Sequence, residues 1–194
     1  QDKGNFQMAS EQYKKILQSQ PQNFTMQFNQ GACLLALKDY SGAAEALSKA
    51  VKIDGSVAEA HALLGQTEAA RGRLPEAISE LRGALAIKQD RADWYAQLGD
   101  ALSKQKDFTG AIEAYRQSQN LNPQDTATGY SLGYVLQTTG QLDDAARAFE
   151  HVVKLNPNYT NAHYNLGIIK QKQKDLPGAE AELKRVLALN PNDG

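Results

Sequence analysis

Residues 126–159 read TATGYSLGYVLQTTGQLDDAARAFEHVVKLNPNY, and this stretch decides the fold. Thr126 to Thr139 carries Leu132, Gly133, Val135 and Leu136 at helical spacing until Gly140 breaks the pattern. Asp143 to Leu155 resumes it with Ala145, Ala146, Phe149, Val152 and Val153. Asn156-Pro157 then stops the second segment, because the residue before a proline is pushed out of the helical region. The stretch predicts two helices joined by a tight break.

Working outward, the same layout recurs. Glycines stand at Gly31, Gly65, Gly99, Gly133 and Gly167, each 34 residues after the last. Alanines follow twelve positions later at Ala43, Ala77, Ala111, Ala145 and Ala179, and Ala9 lies one period earlier. All six prolines occupy two phases, Pro21, Pro123, Pro157 and Pro191 in one, Pro75 and Pro177 in the other. The break recurs as Lys38-Asp39, Gly72-Arg73, Lys106-Asp107, Gly140-Gln141 and Lys174-Asp175. Glycine there suits the left-handed residue that ends a helix. The positions that follow, Ser41, Thr109, Asp143, Pro75 and Pro177, suit a helix cap or first turn. Asn122-Pro123 and Asn190-Pro191 stop second helices as Asn156-Pro157 does.

The small residues have a mechanical reason. Glycine in the first helix and alanine in the second are expected where the two helices approach most closely. Leu47, Leu81, Tyr115, Phe149 and Leu183, each one turn past the alanine, supply the bulk that fills the space. These residues specify fold rather than function.

The period, with Leu64-Gly65, Leu98-Gly99, Leu132-Gly133 and Leu166-Gly167, Ala111 with Tyr115, Ala145 with Phe149, and the prolines above, resembles the tetratricopeptide repeat. The resemblance covers residues 24–193. The family's frequent tryptophan is missing: its slot holds Gln27, His61, Tyr95, Gly129 and His163, and Trp94 falls one residue early. The resemblance implies an all-α, right-handed α-solenoid, a superhelix of antiparallel helical hairpins. Residues 1–23 are expected to be the second helix of a truncated leading repeat. Five repeats follow at 24–57, 58–91, 92–125, 126–159 and 160–194, forming one continuous domain.

In such a solenoid the first helices line the concave side. Numbering each repeat from the position of Phe24, positions 2, 5, 6, 9, 12 and 13 form one helical stripe, and positions 3, 7, 8, 10 and 11 are committed to the core. The stripe begins apolar, with Phe28, Ala32, Leu35, Ala62 and Leu63. It turns polar and acidic at Glu59, Gln66, Asp93, Gln97 and Asp100, opposed by Lys104. It ends aromatic and amide-rich with Tyr130, Tyr134, Gln137, Asn161, Tyr164 and Asn165. Tyrosine gives large contact area at low entropy cost and keeps a hydrogen-bonding tip, so Tyr130 and Tyr134 are assigned to binding rather than packing. The expected site is a concave groove for a peptide or helical segment, built from Phe28, Asn29, Leu63, Gln66, Asp93, Gln97, Asp100, Tyr130, Tyr134, Asn161, Tyr164 and Asn165.

Two finer resemblances bear on that groove. Position 6 holds Asn29, Leu63, Gln97, Ser131 and Asn165, and amides spaced this way can clip an extended backbone whatever its sequence. This is similar to the asparagine ladder of O-linked N-acetylglucosamine transferases, broken here at Leu63, and implies a capacity for backbone clamping. Co-chaperones of the family grip a terminal carboxylate with lysine at position 5 and asparagine at position 9. Here position 5 holds Phe28, Ala62, Ala96, Tyr130 and Tyr164, and position 9 has no asparagine, so no such clamp is expected.

The bulk composition narrows the alternatives. A formal net charge of −1 and 41% hydrophobic residues argue against a nucleic-acid surface, and the short apolar runs against direct membrane insertion. Cys33, the single cysteine, falls in a small-residue core slot. His61 and His163 stand three repeats apart, and Asp143-Asp144 opens a helix, where carboxylates favour the dipole. No catalytic residue, metal cluster or cofactor motif emerges, so the chain is expected not to be an enzyme. The expected partner is a protein or peptide. Alternatives are the substrate-presenting region of a larger enzyme such as a glycosyltransferase, or a spacer in assembly or secretion. With no polar capping helix after Leu183, Val186, Leu187 and Leu189, the chain is expected to be a fragment or to self-associate through uncapped ends.

Overall fold

The computed structural model describes residues 2–190, apart from the side chain of Asp2. The Pro191 stop and the last residues of the final repeat lie outside the described residues. Eleven helices and no strand are formed among them: α1 (Asp2–Ser19), α2 (Phe24–Ala36), α3 (Tyr40–Ile53), α4 (Ala58–Ala70), α5 (Leu74–Ile87), α6 (Ala92–Lys104), α7 (Phe108–Leu121), α8 (Thr126–Thr138), α9 (Leu142–Leu155), α10 (Thr160–Lys172) and α11 (Leu176–Leu189). The fold is all-α. It divides into two compact units, Gln1–Gln105 and Lys106–Gly194. In the first, α1 to α6 pack in chain order, and the first helices α2, α4 and α6 also touch one another. In the second, α7 to α11 pack in chain order.

Each first helix ends in the same way. Gly72 and Gly140 take the left-handed conformation at φ 76° and 80°. Lys38, Lys106 and Lys174 take it too, at φ 63°, 66° and 65°, although a side chain there costs about 1–2 kcal/mol. The cost is offset by hydrogen bonds that reach back over the helix end. The Asp39, Arg73, Gln141 and Asp175 N–H groups donate to the Leu34, Glu68, Leu136 and Lys170 carbonyls, each at 2.9 Å.

The next helix is capped by the residue straight after the left-handed one. Asp39, Asp107 and Asp175 accept from the N–H of Gly42, Gly110 and Gly178 at 3.0 Å, a bond worth about 1 kcal/mol. Ser41, Thr109, Asp143, Pro75 and Pro177 therefore sit in the first turn, and the cap lies two residues earlier. Second helices end at Asn122, Asn156 and Asn190, where the backbone leaves the helical region. Asp54 and Lys88, with no proline after them, end theirs in the same way.

Glycine and bulk meet across each hairpin that lies within one unit. A Cβ at Gly31 would stand 2.5 Å from Leu47 Cγ, at Gly65 2.8 Å from Leu81 Cγ, and at Gly133 2.8 Å from Phe149 Cε1. No side chain can be added there unless the side chain opposite shifts. Leu47, Leu81 and Phe149 are fully buried, and each contributes about 1.5–3 kcal/mol of apolar burial. Cys33 is buried in the core, and burial pushes its thiol upward from the ordinary value, as suits a packing residue.

Candidate functional site

With α2, α4 and α6 side by side, their shared face encloses a cavity of about 240 Å³ in the first unit. Phe28, Ala62 and Leu63 form its apolar wall, and Phe28 and Leu63 rest on the buried cluster of Ala44, Leu47 and Leu64. Glu59, Gln66, Asp93 and Gln97 supply the polar lining. Phe28, Leu63, Gln66, Asp93 and Gln97 thus come together around one space, while Asn29 on α2 is half-buried and Asp100 on α6 is exposed, neither lining it.

Arg91 and Trp94, which lie outside the stripe, complete the lining. The Arg91 guanidinium sits 4.2 Å from the Trp94 ring centre. Its Nε and Nη2 donate to the Asp93 carboxylate at 2.9 and 2.7 Å. That hydrogen-bonded carboxylate, with the charges of Glu59 and Asp90 around it, pushes the guanidinium above its ordinary value. The signal for this corner was Arg91-Ala92-Asp93-Trp94, a cation three residues before an aromatic and two before an acid. Across the rim, Lys88 Nζ reaches Glu59 Oε1 at 3.5 Å.

Gln97 holds an unusual atom. Its Oε1 is shielded from solvent and accepts no hydrogen bond among the described residues. An unpaired buried acceptor costs about 1–3 kcal/mol.

The second unit uses the corresponding positions differently. Tyr130 stacks on Tyr159 with ring centres 5.2 Å apart, and tilts against Phe149 at 5.6 Å. Asn165 Nδ2 donates to the Tyr130 hydroxyl at 3.1 Å and to the Asn161 carbonyl at 2.9 Å. Tyr130 is therefore packed, whereas Tyr134 and Tyr164 are 55% and 52% exposed, and Asn161 is exposed beside them. Burial, then the nearby Tyr130 and Asp125, raises the Tyr159 hydroxyl above its ordinary value.

The slot that often holds tryptophan in the family does structural work. Gln27 Nε2 donates to the Pro21 carbonyl at 3.0 Å. His61 faces the Gly55 carbonyl with Nε2 at 3.1 Å and Glu80 with Nδ1 at 2.6 Å. His163 repeats this on the Pro157 carbonyl and Glu182 at the same distances. Where the slot holds Gly129, Gln119 reaches in from α7 and donates to the Asp125 carbonyl at 2.7 Å. Gln27, His61 and His163 tie the loop before a hairpin to its first helix, and Gln119 ties such a loop to the helix before it.

Residues 1–58, 92–125 and 136–194 match the family Tetratricopeptide repeat. TPR repeat-containing protein MJ1428 of Methanocaldococcus jannaschii is 28% identical over 114 residues, 59% of this chain and 20% of that protein. The chain thus spans about a fifth of the length of that curated relative. Among solved structures, YrrB, described as a TPR protein with an unusual peptide-binding site, superposes with a TM-score of 0.84 at 23% identity, covering 95% of each chain. A structure of MamA superposes with a TM-score of 0.82 at 25% identity, covering 87% of this chain and 92% of that one. No helix among the described residues is long and apolar enough to cross a membrane. The 34-residue hairpins, their glycine-to-bulk contacts and these likenesses agree: the chain belongs to the tetratricopeptide repeat family.

Proposed function

We propose that the chain is a protein-interaction scaffold, not a catalyst, and that the exposed faces of its first helices hold a peptide or helical segment of a partner. The observation that carries this is the cavity on α2, α4 and α6, where stripe residues left over from core packing converge on one half-apolar space. The described peptide-binding role of YrrB supports the same reading. Phe28, Leu63, Gln66, Asp93 and Gln97 are the anchoring contacts, with Asn29 and Asp100 flanking them. On the second unit Tyr134, Asn161 and Tyr164 offer a further contact face, and Tyr130 and Asn165 support it from beneath. Selecting peptides on the whole chain and repeating the measurement with Leu63→Glu tests the reading. Binding should fall about tenfold or more, since a buried charge in an interface core is strongly unfavourable. Unchanged binding would move the site elsewhere.

A second reading concerns α11. Leu176 and Leu187 are 64% and 56% exposed and, with Leu183, flank a groove of about 340 Å³. Such a face suits self-association. Sedimentation at rising concentration should show oligomers that Leu187→Glu abolishes; a concentration-independent monomer contradicts it.

A further inference from the structure

Resting on the peptide-groove reading, we infer that the cavity between α2, α4 and α6 admits one arginine or lysine side chain of the bound segment. Its methylene stem lies on Phe28 and Leu63, and its head meets the Glu59 carboxylate at the rim.

Size comes first. At about 240 Å³ the cavity is below the roughly 300–1,000 Å³ of sites that take whole small molecules, so it suits one side chain. Shape and polarity come next. The wall of Phe28, Ala62 and Leu63 asks for an apolar stem, yet the opposite lining is polar, with Glu59, Gln66 and Asp93. A purely apolar side chain would desolvate those acceptors without pairing them, so the occupant carries N–H groups at its far end.

Charge decides between a neutral and a cationic head. The carboxylates of Glu59, Asp90 and Asp93 surround this corner, against the cations Arg91 and Lys88. Arg91 is not available to an incoming anion: both its Nε and Nη2 are held by Asp93, and its face lies on Trp94. Lys88 holds Glu59 only loosely, at 3.5 Å, so an arriving ammonium or guanidinium can share that carboxylate. An acidic side chain would meet three carboxylates against two cations, and both cations are already paired. Lysine and arginine combine a long apolar stem with a donating, positive head, which is the complement of this lining.

The test uses the whole chain and a random-peptide display library, with Leu63→Glu as the counter-selection. Selected peptides are expected to hold a lysine or arginine whose replacement by alanine weakens binding about tenfold. Norleucine, which keeps the stem and removes the charge, is expected to recover only part of that loss. Glu59→Gln should shrink the preference for the basic residue while leaving other peptide contacts intact. The single tryptophan, Trp94, reports directly: n-butylguanidinium should change its emission saturably and pentanoate should not. Peptides that lose affinity with Leu63→Glu but ignore replacement of their basic residues would overturn the basic-side-chain assignment and leave the groove standing. Peptides indifferent to Leu63→Glu would overturn the groove and this assignment with it.

Discussion

In the first unit Phe28, Ala62 and Leu63 stop short of covering the shared face of α2, α4 and α6, and a cavity of about 240 Å³ remains. In the second, Tyr130 stands at the repeat position of Phe28 and Ala62 and closes its own space, stacked on Tyr159 and capped by Asn165. Backbone, period and glycine-to-bulk contact are the same in both. The difference lies in what the side chain at that position meets. Tyr130 stacks on Tyr159, tilts on Phe149 and accepts from Asn165. Phe28 instead stacks on Phe24 of its own helix at 5.9 Å, and Ala62 carries no ring, which leaves a site. A repeat fold can therefore open or close a binding face without altering its framework.

The comparison can be broken from the closed side, and the effects should fall in order. Phe149→Ala removes the fully buried ring under Tyr130 and should cost about 3–5 kcal/mol in urea unfolding. Tyr130→Ala leaves Phe149 in place but removes the stack, and should cost about 2 kcal/mol while opening space between Phe149 and Tyr159. Tyr130→Phe keeps the stack and removes only the hydroxyl that accepts from Asn165, a loss of about 0.5–1.5 kcal/mol. From the open side, Gln97→Leu replaces an unpaired acceptor by an apolar group. It should be neutral or stabilising by up to about 1 kcal/mol, the opposite sign to the Tyr130 variants.

The smallest effect is a dependence on pH. The Tyr159 hydroxyl is held above its ordinary value, so the folded chain keeps its proton when the unfolded chain begins to lose it near pH ~10. Stability should therefore fall as pH rises past that point, and Tyr159→Phe should flatten the slope. An unchanged slope in Tyr159→Phe would show that another group is responsible.

The framework was legible because it is written in spacing. Gly72 and Gly140 announce the left-handed residue by type, and Lys38, Lys106 and Lys174 are legible only by sharing their register. The caps were less plain. Ser41 and Thr109 look like cap residues, but Asp39, held by the hydrogen bond that closes the preceding helix, and Asp107 are the residues that cap the next one. Arg73 and Gln141 take the same conformation without a side-chain capping bond, so the position is set by the backbone. The site was legible as a stripe but not as a cavity. Arg91 enters from the loop before α6, and Tyr130 is claimed by Tyr159 at the far end of its repeat; neither pairing follows from helical period alone.

The central claim is that binding is anchored on the open face of the first unit, and hydrogen exchange with a selected peptide tests it most directly. The account predicts slowed exchange in α2, α4 and α6 together with a change in Trp94 emission. Protection confined to α8 and α10 around Tyr134 and Tyr164, with Trp94 silent, would contradict it.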